Sequence, residues 1–193
     1  MRHLVLYLRS RQIAAATAVA VAGTAAMYWL DRAVGGLGPG PLLAALAAAL
    51  GTAAFASGME GDDVALDRTA SIAWPRWRAA HVIAVVAIVA GAGHAVTLMG
   101  DPLAPPEVIL RDVAGLGGLT ALTATLLGAS RAWLGAVTWT TMMIPAQFLA
   151  ATGTWHAEVL TWMIQAPGST PATITAGVLA VTGTLTYAAA GRV

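Results

Sequence analysis

The 193-residue chain is 58% apolar and only 10% charged, with a mean hydropathy of +0.75, where an ordinary soluble domain holds about 45–50% apolar and about 25% charged residues. That balance excludes a typical soluble fold and predicts an all-α, polytopic integral membrane protein with about six transmembrane helices. The net charge is +1 and every Lys/Arg position is Arg, which leaves no polybasic stripe for nucleic acid and excludes a lysine-containing phosphate loop, Schiff-base chemistry and a Ser–Lys dyad.

A helix needs about 20 mostly apolar residues to cross the hydrocarbon core. Six windows meet that need, at about 12–30, 41–58, 79–100, 113–130, 132–152 and 171–190. The first follows Arg2, Arg9 and Arg11 and runs apolar from Ile13 to Leu30, longer than the roughly 7–15 residues of a cleavable signal core, so it reads as an uncleaved span. With both termini cytoplasmic, Arg2, Arg9, Arg11, Arg68, Arg76, Arg78, Arg131 and Arg192 lie inside and only Arg32 and Arg111 outside. That distribution obeys the positive-inside rule.

Between the first two windows, Gly35, Gly36, Gly38, Pro39, Gly40 and Pro41 make a linker. The stretch 59–71 is the longest hydrophilic segment and holds four of the nine acids, within a cytoplasmic loop at 59–78. Ser57 and Glu60 have capping-box spacing, and Leu66, Asp67 and Arg68 suit a short amphipathic helix on the membrane surface. Such a helix can dock into a groove on a cytoplasmic subunit; the competing reading is a solvated loop with a surface ion pair. Trp74, Arg76, Trp77 and Arg78 then form an interfacial anchor, with indoles at headgroup depth and guanidinium groups reaching lipid phosphates.

His94 sits among Gly91, Ala92, Gly93 and Ala95 near the outer end of the third window, and an ionisable group at membrane depth is a functional candidate. Its only outer partner for a metal or haem is His156, and the alternative is a packed or headgroup-level histidine. Pro102, Pro105 and Pro106 keep the next loop non-helical at first, and Glu107, Arg111 and Asp112 lead into the fourth window. There Gly115, Gly117 and Gly118 predict close helix packing.

Pro145 interrupts the fifth window and frees the carbonyl of Thr141. Trp139, Thr141, Met142, Met143 and Gln147 would then wall a mostly apolar, adaptable substrate path together with His94, and plain helix packing is the rival reading. In the loop 153–170, Trp155, Val159, Trp162 and Met163 recur at helical spacing, predicting a short outer helix in or dipping into the outer leaflet. The chain lacks G-x-S-x-G, H-E-x-x-H and cysteine, so no catalytic constellation or thiolate metal site is expected, nor any cofactor of its own.

The run 110–119, with Arg111, Asp112, Gly115, Gly117 and Gly118, and the run 127–134, with Gly128, Arg131 and Trp133, resemble the central stretch of small six-span permease-like proteins of high-GC actinobacteria. So does Asp67, Arg68, Thr69, Ala70 followed by a basic stretch. Those proteins are generally taken as membrane subunits of ABC-type exporters in the bacterial cytoplasmic membrane. The resemblance implies ATP and Mg on a partner ATPase subunit, and ATPase coupling through Glu60, Asp62, Asp63, Asp67, Arg68 and Thr69. It also implies an outer gate containing Trp155 and Trp162, an interfacial helix at residues 2–11, and a second permease copy or related permease to complete the path. The alternative class is a non-transporting scaffold or immunity-type protein that binds lipid or peptide within the bilayer; a redox or hydrolytic enzyme built on His94 and His156 is a third.

Overall fold

Long apolar runs without interior breakers become helices long enough for a bilayer. A computed structural model describes residues 12–34, 40–59, 74–100, 102–149 and 154–190. Helix α1 (Ile13–Ala33) has 21 residues, about 32 Å at 1.5 Å per residue, close to the roughly 30 Å hydrocarbon core. Helix α2 (Gly40–Ala54) has 15 residues and passes through Phe55 into a 3-10 turn at Ala56–Met59, where the Ser57 hydroxyl donates to the carbonyl of Ala54. Helix α3 covers Trp74–Thr97 and helix α4 Pro106–Leu127. A 3-10 turn at Ala129–Arg131 leads to α5 (Trp133–Leu149), which contains Pro145. A short helix α6 (Trp155–Leu160) and a 3-10 turn (Trp162–Ile164) precede α7 (Thr170–Ala189).

Helices α1, α3, α4 and α7 are long and apolar enough to cross a membrane. The expectation of about six such spans is met by four, because α2 and α5 are 15 and 17 residues long, about 22 and 25 Å. The fourth helix begins at Pro106 rather than at 113. Proline's missing N–H costs nothing in a first turn, so the prolines start this helix and bring Glu107, Arg111 and Asp112 into it.

Small residues fill many buried positions, including Ala20, Ala45, Ala48, Ala136, Ala172 and Ala176, beside a few large ones such as Phe55, Leu116, Met143 and Trp162, whereas Ile83, Leu126, Phe148, Ile174, Val181 and Leu185 project outward. Lipid tails are as apolar as leucine, so nothing drives those side chains inward, and small residues let helices approach closely. Threonines fit both environments because their hydroxyls donate one turn back, as Thr24 does to Ala20, Thr123 to Leu119 and Thr182 to Val178. Each of these hydroxyls is thereby satisfied within its own helix.

Helix α4 is central: 67% of its apolar window is buried, against 22–28% for the other three long helices. Its most extensive partner is α7. Their backbones touch, since a Cβ on Gly118 would collide with the Leu179 carbonyl and one on Gly183 with the Gly118 carbonyl. Helix α4 ends at Gly128, whose φ of 86° suits glycine, with its N–H donating to the Ala124 carbonyl.

One end of the bundle gathers the Ala56–Met59 turn, the Ala129–Arg131 turn and the end of α7. There the Tyr187 hydroxyl donates to the Met59 carbonyl and the Arg78 guanidinium lies 5.5 Å over the Tyr187 ring. At the opposite end, the Tyr28 hydroxyl donates to the Met99 carbonyl at 3.2 Å and Arg32 stacks on the Tyr28 ring at 4.8 Å.

Candidate functional site

The segment between α5 and α7 folds back into the bundle. Trp162 and Met163 are fully buried, 0% exposed. The Trp162 indole packs on Gly115 of α4 and against Ala176 of α7, in space that a Cβ at residue 115 would occupy. Non-helical backbone at that depth needs protein partners for its polar groups, and two side chains supply them. Trp139 Nε1 donates to the Leu160 carbonyl at 3.2 Å. Arg111 donates Nη1 to the Gln165 carbonyl at 3.2 Å and Nη2 to the Met163 carbonyl at 3.3 Å.

The same guanidinium pairs with its neighbour, Nε to Asp112 Oδ1 at 2.9 Å, with the side chains only 8% and 1% exposed. Arg111 thus serves one carboxylate and two backbone carbonyls at once. Asp112 Oδ2 and Trp162 Nε1 are buried with no hydrogen-bond partner among the described residues. The return limb is fixed by Ser169, whose hydroxyl donates to Glu158 Oε2 at 2.6 Å while accepting the N–H of Ala172 at 3.3 Å to cap α7.

Beside this segment, α4 and α5 enclose a cleft of about 640 Å³. Leu119, Thr123, Leu126 and Leu127 line one wall, Thr138, Trp139, Met142, Met143 and Ala146 the other, and Leu160 closes the end nearest the folded-back segment. The α4 residues recur at one-face spacing, and the two helices pinch together where the Thr123 hydroxyl enters the space a side chain at Gly135 would fill. No charged side chain among the described residues lines the cleft, and the Thr123 hydroxyl is already donated to Leu119. Leu126 and Met142 are 72% and 66% exposed, so the cleft opens sideways onto the apolar surface of the bundle. An uncharged, largely apolar guest fits these walls.

Of the residues assigned to a substrate path from sequence, Trp139, Met142 and Met143 line this cleft; His94, Thr141 and Gln147 do not. His94 lies exposed on α3, and Thr141 is exposed with its hydroxyl bonded to the Val137 carbonyl. The two residues expected at an outer gate separate: Trp155 is 71% exposed, edge-on to His156 at 5.7 Å, whereas Trp162 is a buried core residue. Of the residues expected to form an interfacial anchor, Trp74 opens α3, Arg76 and Trp77 are exposed, and Arg78 is engaged with Tyr187. The residues expected to couple to an ATPase, Glu60, Asp62, Asp63, Asp67, Arg68 and Thr69, lie outside the described residues. Among the described residues, no three His, Asp or Glu side chains gather as a metal site.

Sequence reasoning missed the Arg111–Asp112 centre. The signal was present, as two adjacent opposite charges beside an apolar glycine-rich run, but the prolines before them read as a loop. The α4 wall was also missed, because threonines and glycines there read as helix packing. No family model, curated protein or solved structure matches the chain.

Proposed function

We propose that this chain is a membrane subunit of an exporter-type permease, admitting a hydrophobic or amphipathic molecule sideways from the bilayer while a separate ATPase subunit binds ATP and Mg. The observation that carries this reading is the lateral cleft between α4 and α5, whose volume of about 640 Å³ falls in the range of small-molecule sites, roughly 300–1,000 Å³. Its methionine and leucine walls adapt to varied apolar guests.

In this reading α1–α5 and α7 all cross the bacterial cytoplasmic membrane and both termini are cytoplasmic. The arginine pattern supports that orientation: among the described residues, Arg76, Arg78 and Arg131 belong to the end with Met59 and Tyr187, against Arg32 and Arg111 in the other half. A single chain of this size does not enclose a complete path, so a second copy or a related permease joins it. Inward movement of the coupling loop would reach the cleft through the Ala56–Met59 turn, which packs on the Ala129–Arg131 turn at the cleft's base.

Affinity isolation of the full chain in mild detergent tests the reading. A stoichiometric ATPase among the co-purifying proteins supports it, and exchanging Asp67 and Arg68 should then uncouple ATP hydrolysis from transport. Absence of any ATPase under gentle conditions transfers the cleft to a non-transporting lipid- or peptide-binding role.

A further inference from the structure

The two walls of the cleft are joined by a turn, and that turn carries a charge outside the apolar lining. The Ala129–Arg131 turn joins α4 to α5 and lies in the chain between the lining residues Leu127 and Leu134. Arg131 is exposed on this turn and makes no ion pair or side-chain hydrogen bond among the described residues. Two residues on, Trp133 is 44% exposed and its indole N–H donates to the Ser130 carbonyl at 3.1 Å, which holds the ring at the edge of the apolar surface. Aromatic rings and arginines in that position sit at the headgroup level of a bilayer.

From Leu134 to Ala146 the α5 wall rises about 18 Å, at 1.5 Å per residue. The α4 wall, Leu119 to Leu127, rises about 12 Å, and one leaflet of a roughly 30 Å hydrocarbon core is about 15 Å deep, so the two-walled part of the cleft covers most of an acyl chain from its own leaflet. The opposite end is stopped by Leu160, which Trp139 holds in place through its carbonyl.

We propose that the α4–α5 cleft binds one acyl chain of an anionic phospholipid, drawn by Arg131 through the net negative charge of its headgroup, a charge that choline cancels in a zwitterionic lipid. The proposal rests on the lateral-entry reading above only in sharing its cleft, and it names the occupant. Apolar walls alone do not prefer this lipid, because an acyl chain is equally comfortable among other chains. Selection therefore comes from the headgroup. The attraction of one arginine to an anionic bilayer surface is worth about fivefold in binding, and a headgroup preference of that size is expected here.

The test uses the full chain exchanged into nanodiscs of equimolar phosphatidylglycerol and phosphatidylcholine with matched acyl chains, then released in mild detergent for native mass spectrometry. The wild type should retain one phospholipid per chain, with phosphatidylglycerol favoured about fivefold. Arg131→Gln should keep the lipid and lose the preference, and Thr138→Trp, at an exposed lining position, should lose the lipid. No retained lipid in the wild type, equal retention of the two headgroups, or an unchanged preference in Arg131→Gln overturns the proposal. So does a Met142→Cys variant that cross-links to a second copy in place of bound lipid, since the groove is then a subunit interface. Arg131→Gln reads the headgroup even if Thr138→Trp does not fold. Co-purification of an ATPase is a separate readout, so the lipid assignment and the permease reading fail independently.

Discussion

Arg111 and Gln165 stand 54 residues apart in sequence, yet the guanidinium Nη1 of one donates to the carbonyl of the other at 3.2 Å. With the second bond to Met163 and the pairing with Asp112, this side chain ties the folded-back segment to the central helix. The consequence reaches the cleft, because the same segment supplies Leu160 to its closed end.

Arg111→Met should be among the most damaging single changes. It strands the Asp112 carboxylate and leaves two carbonyls without donors, and breaking a buried pair by removing one partner costs about 3–5 kcal/mol. The double variant Arg111→Met with Asp112→Leu removes the stranded charge and should recover part of that loss, the remainder belonging to the carbonyls. Thermal unfolding in detergent orders the three proteins. A double variant no more stable than the single one would falsify the view that the stranded carboxylate dominates the cost.

The contact between α4 and α7 makes an opposite demand, for the absence of side chains. Gly183→Val drives methyl groups into the Gly118 carbonyl and should destabilise by about 1–3 kcal/mol or more through forced helix separation. Gly177 lies on the same helix, but a Cβ there would meet nothing within 4 Å, and this position provides the control. Gly177→Ala should be neutral or gain up to about 1 kcal/mol from helix propensity. Equal unfolding temperatures for the two variants would remove the close crossing as a source of stability.

Ser169 offers a way to separate two bonds made by one hydroxyl. Ser169→Ala loses the α7 cap and the bond to Glu158, a change of about 0.5–2 kcal/mol for the cap alone. Ser169→Asp retains a capping acceptor but sets a second carboxylate against Glu158. If the Glu158 bond anchors the return limb, Ser169→Asp should unfold at a lower temperature than Ser169→Thr, and adding Glu158→Gln should restore it.

The helices were legible because each is an apolar run interrupted by proline, glycine or charge, a signal that depends only on neighbours in sequence. The central place of α4 was partly legible through Gly115 and Gly118, since closely spaced small residues announce a near neighbour without identifying it. The burial of Trp162 was not. Its spacing with Trp155 and Val159 describes a helical face, while its actual setting depends on Gly115 and Ala176 arriving from other helices. The same limit applies to the cleft: Met142 and Met143 read as an adaptable wall, but Leu126 and Leu127 of the facing helix became lining residues only once α5 turned back along α4.

Whether α5 crosses the membrane, despite its 17 residues, is open to a direct chemical test because the chain has no cysteine to create background labelling. Ser130 and Ala166 are both exposed; the first precedes α5 and the second follows the folded-back segment. In the six-crossing arrangement they face opposite compartments, so a membrane-impermeant maleimide should modify Ser130→Cys only from the cytoplasmic side and Ala166→Cys only from the outside. Val34→Cys and Ser57→Cys, at exposed positions flanking α2, should divide in the opposite order. A 15- or 17-residue helix spans only about 22–25 Å, so crossing requires local thinning of the bilayer or help from flanking residues. If Ser130→Cys and Ala166→Cys react from the same side, α5 returns to the surface from which it entered, and a path for substrate along the α4–α5 cleft would then serve one leaflet alone.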